Sequence, residues 1–158
     1  MSQYAVLIAK LENELAKISA AVKLAESQAA KAITSGDDDF WFAAALSLQN
    51  FYMGTERIFE EIAKKVDQYL PSGGNSHRDL LEQMALALTD TRPPVILNDT
   101  LESLQEYRGF RHVAIHRYGF ELRPDRIAEL VHKLADSCQM LSRDVDNFYN
   151  FLLTLENL

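Results

Sequence analysis

The last segment of the chain carries the strongest constraint on its fold. From Ile127 onward, Val131, Leu134, Cys138, Leu141, Val145, Phe148, Leu152 and Leu155 follow one another in steps of four and three. On a backbone with 3.6 residues per turn these steps return to one side, so the segment reads as a long helix that buries one stripe against partners. Pro124 stands where a first helical turn accepts proline. The first segment repeats the pattern through Tyr4, Ile8, Leu11, Leu15, Ile18, Val22 and Ala25, and Gly36 with Asp37 to Asp39 closes it. Nowhere does period-two alternation run long enough to build a sheet.

Breaks in the middle of the chain define the remaining elements. A second helix is expected from Phe40 to Leu70, with Leu48, Thr55, Ile62, Val66 and Tyr69 on one stripe and Phe51, Tyr52, Ile58 and Phe59 beside it. PSGGN, residues 71 to 75, ends that helix. A short helix from Arg78 to Leu88 stops at TDTRPPV, because Pro93 and Pro94 cannot continue it. Asn98 or Asp99 would cap a fourth helix running toward Gly119. The expected fold is an all-α antiparallel four-helix bundle with one short extra helix, a single domain over residues 1–158. A chain of 158 residues can bury a sufficient core without disulfides or metal. The lone Cys138 reads as a small core residue in a reducing compartment. No apolar run approaches the ~18 residues of a membrane span, so a soluble, cytoplasmic protein with no membrane partner is expected.

Charge narrows the functional classes. A net charge of −7 argues against a general nucleic-acid coat, which needs a broad basic face. Against that background, YRGFRHVAIHRYGFE, residues 107 to 121, gathers three arginines and two histidines. Following the stripe of the fourth helix gives Leu101, Leu104, Arg108, Arg111, Ile115 and Tyr118, with arginine where the other helices supply leucine or valine. Burying an unpaired charge is costly. This face is therefore either solvated or part of a cleft that an anion or a second subunit completes.

The residue types suit phosphodiester chemistry. A guanidinium can hold a phosphate at two points and stabilise the charge that grows on it. An imidazole can take or give a proton near neutral pH. Cleavage of RNA by its own 2′-hydroxyl needs a base, an acid and a phosphate clamp, and in principle no metal or cofactor. His112 and His116, one turn apart, could form half of a zinc site, but no third ligand stands nearby. His116 lies five residues after Arg111, and Tyr118 lies seven after it, about two turns on the same face of a continuous helix. One chain offers one well-placed His116 while the reaction needs both a base and an acid. A two-fold homodimer with its fourth helices face to face would supply both.

These residues resemble a known family. Arg111, four residues, His116, one residue and Tyr118 reproduce the Arg-x4-His-x-Tyr signature of HEPN-domain ribonucleases, in particular the HepT-type toxins. FRHVAIHRYGFEL resembles them beyond those three positions, including the polar His112 directly after the arginine. FYMGTERIFEEIAKKVDQYLP followed by HRDLLEQM is similar to the family's second helix and the turn after it, although Ser76 precedes His77 where relatives often carry an aromatic. The resemblance covers residues 40 to 135.

It implies a toxin endoribonuclease of a type VII-like toxin–antitoxin pair, acting on RNA without metal at a site shared across a homodimer. Arg111 would stabilise the scissile phosphate, His116 would be the acid or base, and His112 and Arg108 would support them. The implied partner is a minimal nucleotidyltransferase antitoxin that silences the toxin by transferring AMP from ATP to Tyr118. His77 reads as a helix-start or packing residue, and Glu56 and Arg57 as helix-surface ion-pair residues rather than supports of the site. Two other classes stay open. One is a non-catalytic HEPN module that binds nucleotide or docks a nucleotidyltransferase, and the other is a helical scaffold in which the basic residues are solvated.

Overall fold

The computed structural model describes residues 3–156, so the two residues at each end of the expected domain lie outside it. Five α-helices follow in order: α1 (Ala5–Ser35), α2 (Asp39–Ile62), α3 (Ser76–Met84), α4 (Asn98–Ile115) and α5 (Pro124–Glu156). No β-strand occurs among the described residues, and four longer helices with one short one match the expected all-α bundle. None of these helices is long and apolar enough to cross a membrane.

The four-three stripes do what their spacing demands. Ile8, Leu11, Ile18, Val22 and Ala25 of α1 are buried, as are Ile127, Val131, Leu134, Leu141, Val145, Phe148 and Leu152 of α5, while Cys138 is half-buried at the edge of that stripe. α1 and α2 pack closely because Gly54 lies against Ile18; a Cβ added at Gly54 would stand 2.7 Å from Ile18 Cγ1. Phe51, Tyr52, Ile58 and Phe59 of α2 fill the centre with Leu104 and Tyr107 of α4.

The structure corrects three boundaries. First, α2 stops at Ile62 and passes through one π-helical turn, Ala63–Asp67, to Gln68 with φ 56°, so Tyr69 is exposed instead of extending the stripe to Leu70. The cause lies across the fold. Asp67 takes a two-point ion pair from Arg92, Nε–Oδ1 2.5 Å and Nη2–Oδ2 2.8 Å, with both side chains almost fully buried. Second, α3 runs from Ser76 to Met84, not Arg78 to Leu88. Arg92 donates to the carbonyls of Gln83 in the last turn and Leu86 just beyond it, and Val95 donates to the carbonyl of Met84. Third, neither Asn98 nor Asp99 caps α4 from its N-cap position, which is Leu97. Buried Asp144 of α5 does so from a distance, accepting the Leu97 N–H at 2.9 Å and the Thr100 hydroxyl at 2.5 Å.

Candidate functional site

The rotation of α4 about its axis decides which residues reach the core. Thr100, Leu104, Tyr107, Phe110 and Ala114 point inward. The Tyr107 ring meets Phe51 edge-on at 5.2 Å, and its hydroxyl donates to the Leu130 carbonyl at 2.7 Å, locking α4 between α2 and α5. Arg108 and Arg111 lie on the flank of this inward face, each half-buried. Of the two readings left open by sequence, a solvated face and a cleft, the half-burial of both arginines fits the cleft.

That cleft is a cavity of about 270 Å³ between the start of α3 and the second half of α4, lined by His77 and Arg78 on one side and Arg108, Arg111, His112 and Ile115 on the other. Three guanidinium groups thus face one small space in an acidic chain. Arg108 donates through Nε to Gln105 at 2.8 Å, which fixes its stem along α4. Arg111 is held from below by Glu56 of α2, with Nη1 3.4 Å from Oε1. The other oxygen of Glu56, Oε2, is hydrogen-bonded to Nδ1 of His77 at 2.6 Å.

Glu56 is 5 % exposed, so the expectation of a helix-surface ion pair there is wrong. It lies one turn beyond buried Tyr52 on the inward face of α2, and a carboxylate in such a place must be paired and hydrogen-bonded. A glutamate embedded in the run of buried Tyr52, Thr55 and Phe59 was the available sequence signal. His77, expected as a helix-start or packing residue, does stand in the first turn of α3, but its ring is half-exposed and anchored to this carboxylate rather than packed in the core. Arg57, the next residue around α2, is exposed and reaches the sulfur of Met53 at 3.8 Å, as a surface residue does. Beneath the site lies Tyr52, whose fully buried hydroxyl finds no hydrogen-bond partner among the described residues. Burial, and then the negative charge of Glu56, push its ionisation far above the ordinary tyrosine range, so it stays neutral under Arg108 and Arg111.

The second half of the signature is placed differently from a continuous helix. α4 ends at Ile115, and His116 already has non-helical angles, φ −105° and ψ 5°. Ala114 is the last side chain of the stripe to reach the core. Ile115, His116, Arg117 and Tyr118 are all exposed, with no packing to hold another turn, and buried Leu122 then draws the chain back. The expected two-turn helical relation between Arg111 and Tyr118 is therefore lost. Tyr118 is 73 % exposed, stacked on Phe120 with centroids 5.5 Å apart and rings 4° from parallel. Its backbone N–H donates to the carboxylate of Glu121, which closes the 3₁₀ turn Gly119–Glu121. His116 meets His112 ring edge to ring face at 4.8 Å and does not itself line the cavity. Among the described residues no three histidine, cysteine or carboxylate side chains gather as a metal site.

Comparison with known proteins agrees with the sequence resemblance. The family model described as HepT-like protein matches residues 43–152, which includes α2 beyond its first turn, the cavity and most of α5. No curated protein and no solved structure matches the chain. A match over well more than half of the sequence, on an all-helical bundle, makes this chain a member of the HepT-like protein family with a HEPN-like fold.

Proposed function

We propose that this protein is a toxin endoribonuclease that cleaves RNA without a metal ion. The observation that carries the reading is the convergence of Arg108, Arg111 and His112 with Arg78 and His77 on one small cavity of an otherwise acidic molecule. Arg111, oriented from below by Glu56, binds the scissile phosphate and stabilises the charge that develops in the transition state. The 2′-hydroxyl attacks phosphorus and gives up its proton to a base. The bond to the 5′-oxygen breaks as that oxygen takes a proton from an acid, leaving a 2′,3′-cyclic phosphate and a 5′-hydroxyl. His116 is one of the proton carriers, acting beside His112, whose ring it touches.

The exposed Val113, Ile115, Tyr118 and Phe120 surround His116 with apolar surface. A second copy of the chain covers this patch in a homodimer and brings the two α4 C-termini together. Tyr118, exposed just beyond the end of α4, is open to a nucleotidyltransferase antitoxin that adds AMP to its hydroxyl. In a dimer that joins the α4 C-termini, the added phosphate brings negative charge to the shared site and repels RNA.

One observation favours a second reading, a module that binds nucleotide or docks a nucleotidyltransferase without cleavage: His116 lies outside the cavity of the single chain. Purified protein incubated with total tRNA separates the two. Cleavage that is lost in both Arg111→Ala and His116→Ala supports the ribonuclease. Retention of RNA by wild-type protein with no cleavage supports the binding module and overturns the ribonuclease.

A further inference from the structure

Among the side chains lining the cavity, His77 is the one whose surroundings are built like those of a proton carrier. Its Nδ1 is 2.6 Å from Oε2 of Glu56, a carboxylate that is itself buried. An ionised carboxylate can only accept, so this contact places the proton on Nδ1 and leaves Nε2 as the nitrogen free to take or give one. A second group that fixes the tautomer and rotation of an imidazole is the arrangement that general acid–base catalysis uses. The His77 side chain is about half exposed, so Nε2 is accessible to a ligand in the cavity. The same carboxylate also touches Arg111 through its other oxygen. Glu56 thus sets the phosphate clamp and the imidazole in a common frame, from α2, against residues presented by α3 and α4. The other charged groups at this cavity are Arg78 on α3 and Arg108 on α4, and His112 is its second imidazole.

We propose that His77 is a catalytic proton carrier of this site and that Glu56 is its positioning residue. The inference rests on the ribonuclease reading and adds to it a second histidine from the same chain as Arg111. His77 serves the transesterification described above at one of its two proton transfers, either taking the 2′-hydroxyl proton or giving one to the departing 5′-oxygen. The two proton carriers the reaction needs are then His77, within the cavity, and His116, outside it and in ring contact with His112.

The test compares wild type, His77→Ala, His77→Gln, Glu56→Gln and Arg111→Ala. Cleavage is measured with total tRNA as a function of pH, and binding with an RNA oligonucleotide whose 2′-hydroxyls are replaced by 2′-O-methyl groups, which cannot be cut. We expect both His77 variants to lose at least about 100-fold in kcat, as removal of an acid or base does, while binding the uncut RNA within threefold of wild type. One limb of the bell-shaped dependence of kcat on pH should vanish, and added imidazole should restore part of the activity of His77→Ala. Glu56→Gln should reduce kcat at least tenfold. His77 variants that cut within threefold of wild type, with both limbs retained, overturn the proposal. So does a loss of activity matched by equal loss of RNA binding, which marks a structural role. If wild type itself does not cut, the ribonuclease reading fails and this inference falls with it. If wild type cuts and Arg111→Ala does not, but His77→Ala does, only this inference fails.

Discussion

Glu56 and Arg111 meet across the junction of α2 and α4, the carboxylate buried and the arginine side chain partly exposed, with 3.4 Å between Oε1 and Nη1. One partner is a charge inside the bundle and the other faces the cavity. Replacing Glu56 by Gln keeps the shape, removes the negative charge, and leaves the cavity more positive. Affinity for an uncleavable RNA should be unchanged or higher, with unfolding free energy lower by about 1–3 kcal/mol as a buried hydrogen-bonded charge is lost. Filter binding and urea titration check both. RNA affinity that drops together with stability would mean that Glu56 only holds the fold.

Arg92 and Asp67 pair with both side chains almost entirely out of water. Removing one partner strands the other charge, so Arg92→Ala should cost about 3–5 kcal/mol in urea unfolding. Replacing the pair together, Arg92→Met with Asp67→Leu, should cost clearly less. If the double replacement is as damaging as the single one, the stranded charge is not the cause.

Gly54→Ala tests the closeness of α1 and α2. The methyl raises helix propensity by about 1 kcal/mol but lands 2.7 Å from Ile18 Cγ1, and Ile18 is fully buried, so overpacking of about 1–3 kcal/mol should win. In an Ile18→Ala background the clash disappears, and the same change should become neutral or stabilising. A double-mutant cycle in thermal or urea unfolding reads the coupling directly.

Stability should fall in alkali. Burial pushes the Tyr107 hydroxyl up to about 12 and moves Tyr52 up further, while an unfolded tyrosine ionises near about 10. Below the unfolded value both states hold the proton and stability is intact. Above it the unfolded chain loses protons that the folded chain keeps, so stability declines by about 1.4 kcal/mol per pH unit for each buried tyrosine. For Tyr107 this decline runs from about 10 to about 12. Urea midpoints between pH 8 and 11.5 should drop, and Tyr107→Phe should have a shallower slope over that window. Equal slopes would show that Tyr107 is not responsible.

Tyr118→Phe keeps the ring that stacks on Phe120 and removes the acceptor oxygen. Under the proposed control it leaves a ribonuclease that a nucleotidyltransferase partner with ATP no longer silences. Mass spectrometry of the wild-type peptide containing Tyr118 should show additions in AMP-sized steps after incubation with that partner. An addition at another residue, or silencing of Tyr118→Phe by the same catalysis, would end the idea while leaving the cleavage chemistry standing.

Periodicity alone determined the helices at both ends of the chain, because a four-three apolar stripe tens of residues long has one arrangement that buries it. The breaks at Pro93, Pro94 and Gly119 bounded α4 and so put the cluster of Arg108, Arg111 and His112 on one helix. The ends of the interior elements were decided elsewhere. α2 turns at Ala63–Asp67 because Arg92, 25 residues on, holds Asp67, and α4 starts under Asp144, 47 residues beyond Leu97. Such partners are distant in sequence and leave no local trace. The same holds for the site. The signature residues were legible as residues, but α4 stops at Ile115 once its side chains lose contact with the core, which moves His116 and Tyr118 off the helical face. Glu56 and His77 join Arg111 only when α2, α3 and α4 pack together. A charge on an apolar face can be read from sequence, whereas the partner that makes its burial tolerable is chosen by the tertiary structure.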